Sequence, residues 1–369
     1  MNSEPSQLGD LSPDEFRKAA HSAVEWIADY LEHPARYPVR SQVAPGDIKN
    51  SLPASPPQHG ESLAQMMEDF KERIVPGITH WNNPAFFAYF SITGSYPGIL
   101  GELLTAGLNV NGMLWASSPS VTELEEVTLS WLRQLMGLKG AWYGEILDTA
   151  SMSTFYALAA AREAVNLDVR TRGLAGRTDI PALRVYCSEH AHSSVDKAVM
   201  ALGLGHENCV KIETDSDFRL RPDLLRAAIE NDVASGLRPM AIVATVGTTS
   251  VSSIDPVAAI APVAAQFGCW LHVDGAYGAT AAVVPELRHV LDGVELADSF
   301  VVNPHKWLFT PVDCSVLYIK RPEMLKAAFA LLPEYLVTKQ QDAVMNLMDY
   351  GIQLGRRFRS LKLWMVMRA

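Results

Sequence analysis

Between positions 12 and 31 the apolar residues Phe16, Ala20, Val24, Ile27 and Leu31 recur at helical spacing. Ser12 stands ahead of them as an N-cap, Pro13 suits the first helical position, and Glu15 completes a capping box, so the pattern predicts a capped amphipathic helix. The stretch "PARYPVRSQVAPGDIKNSLPASPPQHG" is too broken by proline for regular structure, and "SLAQMMEDFKERIV" then resumes a helical pattern. A helix on an extended tether packs on something else, either a partner subunit or the body of the same chain. From about residue 95 the texture changes. "RVYCSEH", "MAIVATVG", "CWLHVDG", "SFVVNPH" and "CSVLYIK" read as short strands, most of them buried on both faces. "SMSTFYALAAAREAV", "RPDLLRAAIEND" and "DPVAAIAPVAAQFG" read as helices between them. Strand and helix alternating at this rhythm predict an α/β domain with a mainly parallel sheet.

Composition narrows the function classes. The 369 residues are 48% apolar and 20% charged, enough for one large core or two modest ones. A formal charge of -10, from 31 basic and 41 acidic residues, offers no field for a polyphosphate backbone, so nucleic acid is not expected as a partner. The opening "MNSEPSQLGDLSP" lacks a signal-peptide pattern, and no run approaches the ~20 apolar residues of a membrane span. A cytoplasmic protein with no membrane contact is expected. Cys187, Cys209, Cys269 and Cys314 lie far apart in sequence without a C-x-x-C pair, which suggests small buried hydrophobes rather than zinc ligands or a disulfide framework.

In parallel sheets ligands bind beyond the carboxyl ends of the strands, and those ends carry polar groups here. They are His190 and His192, Thr248 and Thr249, Asp274, and then Asn303, His305 and Lys306. Each alone reads as a cap, a turn or a solvated side chain, but Lys306 is flanked by apolar runs, and lysine is rarely buried without a partner. A desolvated lysine loses its proton more easily, and the neutral amine can form a Schiff base with an aldehyde. Pyridoxal phosphate is the aldehyde cofactor that fits. Asp274 beside its ring nitrogen would keep that nitrogen protonated, His192 could lie flat on the ring, and Thr149, Ala150 and Ser151 open a helix whose first amides suit a phosphate.

The motifs "HVDGAYG", "NPHKWLF", "AHSSVDKA", "THWNNPAFFAYF", "SSPSVTELE" and "LGRRFRSLKLW" closely resemble the pyridoxal-phosphate-dependent group II amino acid decarboxylases, and within them the aromatic-L-amino-acid decarboxylases. The resemblance runs over nearly the whole chain. It implies a fold-type-I, aminotransferase-like large domain over residues 91–369, and an obligate homodimer in which the N-terminal helical arm, residues 1–90, wraps the other subunit. It further implies that Lys306 holds the cofactor, Asp274 pairs its ring nitrogen, His192 stacks on the ring and Ala276 lies beneath it. Thr249 becomes a polar contact, and Ala150, Ser151 and Asn303 hold the phosphate, with Thr149 and His305 also on the cofactor side. Tyr335 falls on a mobile loop whose tyrosine protonates the carbanion left after carbon dioxide departs; relatives that make aldehydes instead carry phenylalanine there. The implied reaction is decarboxylation of tryptophan, dihydroxyphenylalanine, tyrosine or phenylalanine to the amine.

For the substrate, Trp81, Tyr89 and Phe90 resemble an aromatic pocket wall, Phe86 and Phe87 are expected in core packing, and Gly355 resembles enzymes that accept bulky indoles. Ile92, after Ser91, and Met113 depart from the family's usual residues in that pocket, as Asp148 and Met152 do in the phosphate turn. The chain stops inside an apolar helical pattern where relatives continue into a small C-terminal α/β domain, which looks like a truncation. The alternatives are therefore a non-catalytic fragment that still binds cofactor, or a decarboxylase of an acidic amino acid. Scarce arginine around the pocket motifs speaks against the second.

Overall fold

The computed structural model describes residues 11–90, 92–331 and 344–369. The chain divides into two compact units, Met1–Ser91 and Ile92–Ala369.

In the first unit the opening helix is Pro13–Glu32. Its capping box forms as the sequence predicts: the Ser12 hydroxyl accepts from the Glu15 N–H, and the Glu15 carboxylate accepts from the Ser12 N–H at 2.9 Å. The second helical pattern becomes Leu63–Asp69, which continues into a wider turn, Phe70–Ile74. Aromatic rings knit the unit together: Trp26 stacks on Tyr30 at 5.4 Å, Phe70 meets Trp26 edge-on, and the Tyr30 hydroxyl reaches Nδ1 of the buried His80 at 2.9 Å.

Among the described residues of the second unit, seven strands form one sheet: β1 (Tyr143–Leu147), β2 (Leu183–Ser188), β3 (Cys209–Ile212), β4 (Arg238–Thr245), β5 (Trp270–Asp274), β6 (Ser299–Val302) and β7 (Ser315–Ile319). Their order is β1-β7-β6-β5-β4-β2-β3, and only β7 runs against its neighbours. The carboxyl ends of the other six therefore meet one rim. The five strands expected from apolar runs are present; β1 and β3 were not legible in that way.

Side chains alternate across the sheet. Val185, Cys187, Ala241, Val243 and Leu317 join one core with residues 157–161 of the helix Ala150–Ala164. Tyr186, Ile242, Ala244, Val273, Phe300 and Tyr318 join the other with Leu225, Ile229 and Ile260 of the helices Pro222–Ala234 and Val257–Phe267. Both faces are covered, which is why the strands read as continuous apolar runs. Trp270 packs in the first core, so alternation brings His272 and Asp274 to that face as well, toward the helix Ala150–Ala164.

Candidate active site

A cavity of about 170 Å³ opens at this rim. It gathers nine of the residues singled out from sequence: Thr149, Ala150, Ser151, His192, Thr249, Asp274, Ala276, Asn303 and Lys306. Each arrives from a strand end. β5 closes on Asp274, β6 runs into Asn303 and the single helical turn Pro304–Trp307, and β1 leads to Thr149 and the helix start.

Lys306 is partly buried, and burial lowers its pKa while the negative charge of Asp274 opposes the shift. The Lys306 carbonyl accepts from the N–H of Thr93 at 3.0 Å, which anchors the turn. Asp274 is 5% exposed, and its Oδ1 accepts from the Ala276 N–H at 3.1 Å. The Nδ1 of His192 accepts the Ser194 N–H at 3.1 Å, so the neutral ring carries its proton on Nε2. Burial lowers the His192 pKa, with Asp274 opposing, and favours that neutral form.

At the helix start, Thr149 takes the N-cap position but its side chain does not cap. Its hydroxyl turns instead to Asp148 Oδ1 at 3.0 Å. The first-turn amides of Ala150 and Ser151 have no intrahelical acceptor and stand at the cavity wall. Met152 packs against the core behind them.

Three lining residues went unnoticed in the sequence: Thr245, Gly247 and Tyr277. Thr245 lies level with Asp274 in the β4–β5 register, a signal available only once the strands are paired. Gly247 has φ +85°, and a Cβ there would come within 2.9 Å of Gly278 Cα, so only glycine lets the two loops approach. The Tyr277 ring stacks on Trp307 at 5.2 Å.

Other expected residues stand elsewhere. His305 does not line the cavity; its Nδ1 accepts from the Cys314 N–H at 2.8 Å, and burial pushes its pKa down to about 4. His190 packs edge-on against Phe218, and Thr248 Oγ1 accepts from the Ser253 N–H. Trp81, Tyr89 and Phe90 belong to the first unit, where Trp81 stacks on Tyr89 at 5.6 Å. Phe87 is 92% exposed, which corrects its assignment to core packing: the segment around it is irregular and encloses no core. Ile92 is partly buried, Met113 packs on Leu114 and Met348, and Gly355 is exposed, with Asn111 the nearest neighbour to a notional Cβ at 3.9 Å. Within the second unit, Ile92, Met113 and Gly355 do not line the cavity. Tyr335 lies outside the described residues.

Chemically the cavity offers an amine biased toward its neutral form, a carboxylate, a neutral imidazole and free first-turn amides. Asn303 Oδ1 and Thr245 Oγ1 are buried at its wall without a hydrogen-bond partner among the described residues, as polar atoms awaiting a ligand would be. This set suits a phosphorylated aldehyde. Among the described residues no group of three or more side chains could hold a metal, and no helix is long and apolar enough to cross a membrane.

Comparison with known proteins adds a family. Residues 45–369 match the model of the pyridoxal-dependent decarboxylase conserved domain. The chain is 41% identical to a phenylacetaldehyde synthase of Rosa hybrid cultivar and 41% identical to a tyrosine decarboxylase of Papaver somniferum; each alignment covers 97% of this chain and 72% of the relative. A crystal structure of Oryza sativa TDC with PLP and tryptamine superposes with a TM-score of 0.93 at 40% identity, over 98% of this chain and 76% of that one.

Proposed function

Because the chain belongs to the pyridoxal-dependent decarboxylases, we propose that it removes the carboxylate of an aromatic L-amino acid as carbon dioxide and releases the amine. The observation that carries this reading is the convergence of Lys306, Asp274, His192 and the first-turn amides of Ala150 and Ser151 on one cavity. Tyrosine, dihydroxyphenylalanine, phenylalanine and tryptophan are the substrates considered. Support for an aromatic side chain comes from the relatives, one named for tyrosine and one crystallised with tryptamine.

Pyridoxal 5'-phosphate, when bound, supplies an aldehyde carbon and a protonated ring that accepts the electron pair of the broken bond. Lys306 would hold the cofactor through a nitrogen that burial moves toward the neutral, nucleophilic amine. Asp274 would hold the proton on the ring nitrogen by charge. His192 would present a neutral imidazole to the ring, and the small side chain of Ala276 would leave room for it. The amides of Ala150 and Ser151, with Asn303, would bind the phosphate. Tyr335 would return a proton to the α-carbon, a phenol acting as general acid.

A second reading has its own observation: the relatives include a phenylacetaldehyde synthase at the same 41% identity as the tyrosine decarboxylase. Tyr335 favours the amine, by resemblance to the members that carry tyrosine there. The test is to supply cofactor with each of the four amino acids and quantify amine, aldehyde and carbon dioxide. Amine with carbon dioxide supports the proposal; aldehyde as the main product overturns it for the second reading. A reducible adduct on Lys306 without any product would leave a protein that binds the cofactor without turning substrate over. In Tyr335→Phe, product should move from amine toward aldehyde, and an unchanged amine yield would remove the role given to this residue.

A cytoplasmic homodimer belongs to the same reading. On the helix Tyr96–Leu108, Leu100, Leu103, Leu104 and Leu108 form a stripe with each side chain 47–57% exposed, which supports burial against a second copy.

A further inference from the structure

Cys187 on β2 and Cys209 at the start of β3 have no motif in common, yet their Sγ atoms lie 3.9 Å apart. Cys187 is fully buried, and Cys209 is 9% exposed. Lys211, level with Cys187 in the strand register, donates from Nζ to the Cys187 Sγ at 3.4 Å. The same ammonium is paired with Asp196 at 2.9 Å, and Asp196 faces His206 at 3.2 Å. A hydrogen bond from Cys187, with Lys211 adding to it, holds the Cys209 thiol below its ordinary range against the effect of burial. Cys269 and Cys314 are a built-in contrast: both are buried and free, and burial pushes each thiol up to about 12.

We propose that Cys187 and Cys209 form a redox-modification site, closed by hydrogen peroxide into an intramolecular disulfide. Cys209, the more exposed sulfur and the more readily ionised, attacks one peroxide oxygen; the O–O bond breaks, the sulfur becomes a sulfenic acid, and the other oxygen leaves as water. The Cys187 thiol, held above its ordinary range by the hydrogen bond to Cys209 and by burial and drawn back by the Lys211 ammonium, then attacks the sulfenic sulfur as its proton passes to the departing oxygen. The S–S bond forms, the S–O bond breaks, and a second water leaves. Two electrons pass from the sulfurs to the peroxide, and both thiol protons end in the two waters. Cys209 lies two residues from the position opposite Cys187, so closing the sulfurs by roughly 1.9 Å to a normal disulfide length takes a shift of the edge strand β3 as well as side-chain rotation. The bridge would tie the edge strand β3 to the strand that runs through Ser188 into the turn bearing His192.

The test is to treat the purified chain with hydrogen peroxide, block remaining thiols with iodoacetamide in denaturant, and follow the digest by mass spectrometry. Expected is a linked peptide pair containing Cys187 and Cys209, two hydrogens lighter, that accumulates at least about tenfold faster than Cys269 or Cys314 is oxidised, since each unit of pKa is tenfold in thiolate. In Lys211→Met the linkage should form several-fold more slowly, and in Cys209→Ser it should not form. Sulfinic acid on Cys209 without linkage, oxidation of all four cysteines at like rates, or no reaction at Cys209 would each overturn the proposal. The comparison among cysteines is made within the unmodified chain, so it stands whether or not a variant folds.

Discussion

At Lys306 two effects pull on one proton. Burial favours its loss and Asp274 favours its retention, with burial the larger. Replacing Asp274 with Asn should therefore leave an amine still able to trap pyridoxal phosphate as a borohydride-reducible adduct while turnover falls by about a hundredfold or more, the scale of losing one charge at the reacting centre. Mass spectrometry of the reduced protein and a carbon dioxide assay read the two separately. At His272 burial again prevails, here against Asp274 and a hydrogen bond with Ser299. Its ring is fully enclosed on β5, Nδ1 meets the Ser299 hydroxyl at 2.9 Å, and burial pushes its pKa down to about 4. Between the ordinary value of about 6.5 and that folded value, the unfolded chain takes up a proton that the folded chain refuses, so the ring's share of stability is lost as pH falls through this window, by about 3 kcal/mol. His272→Gln lacks that loss. Urea midpoints at neutral pH and near pH 4 should show the variant gaining about 3 kcal/mol on the unaltered chain. Residues such as Lys306 and Asp274 were legible because they end apolar runs. Thr245 was not, because a threonine inside a strand pattern carries no mark until its neighbour across the register is known.

Among the elements, β1 is the instructive failure. "YGEIL" interrupts its apolar run with Gly144 and Glu145, and a buried glutamate argues against a strand in a core. The explanation is distant in sequence: Arg356 binds Glu145 and also Glu125, the latter at 2.8 Å, with all three side chains at or below 5% exposure. Glu125 accepts the Ile146 N–H as well, so the cluster fastens the segment around Arg356 to the helix Pro119–Leu135 and to β1. Burial pushes the Glu145 pKa up to about 8, against the attraction of Arg356. Removing the cation would leave the two buried carboxyl groups without their shared partner in the interior. Arg356→Ala should cost about 3–5 kcal/mol in denaturant unfolding, and a charge-conserving Lys should recover only part of it because one ammonium cannot bridge both partners in the same fork. Local patterns cannot announce such a strand, whereas β2, β4, β5, β6 and β7 carry their own apolar signal. The four residues of β3, one of them Lys211, are too few to show a period.

For the whole molecule, nine of the cavity's lining residues were legible in the sequence for a reason of organisation. The residues around Lys306 stand at or just beyond the strand ends of one sheet, while Trp81, Tyr89 and Phe90 lie in the other compact unit and Tyr335 lies outside the described residues. No periodicity links such parts. Assembly is the property to measure at this scale: changing Leu103 and Leu104 together to Lys should halve the sedimenting mass while leaving the circular dichroism of the fold intact. The strand order has a further consequence, for the history of the chain during synthesis. Tyr143 on β1 pairs with Ile319 on β7, so the turn that begins at Thr149 has no fixed place until nearly everything between has been made and folded. Closing so long a loop is slow and comes late. A nascent chain would thus remain unable to set its phosphate-binding turn in place until β7 has left the ribosome.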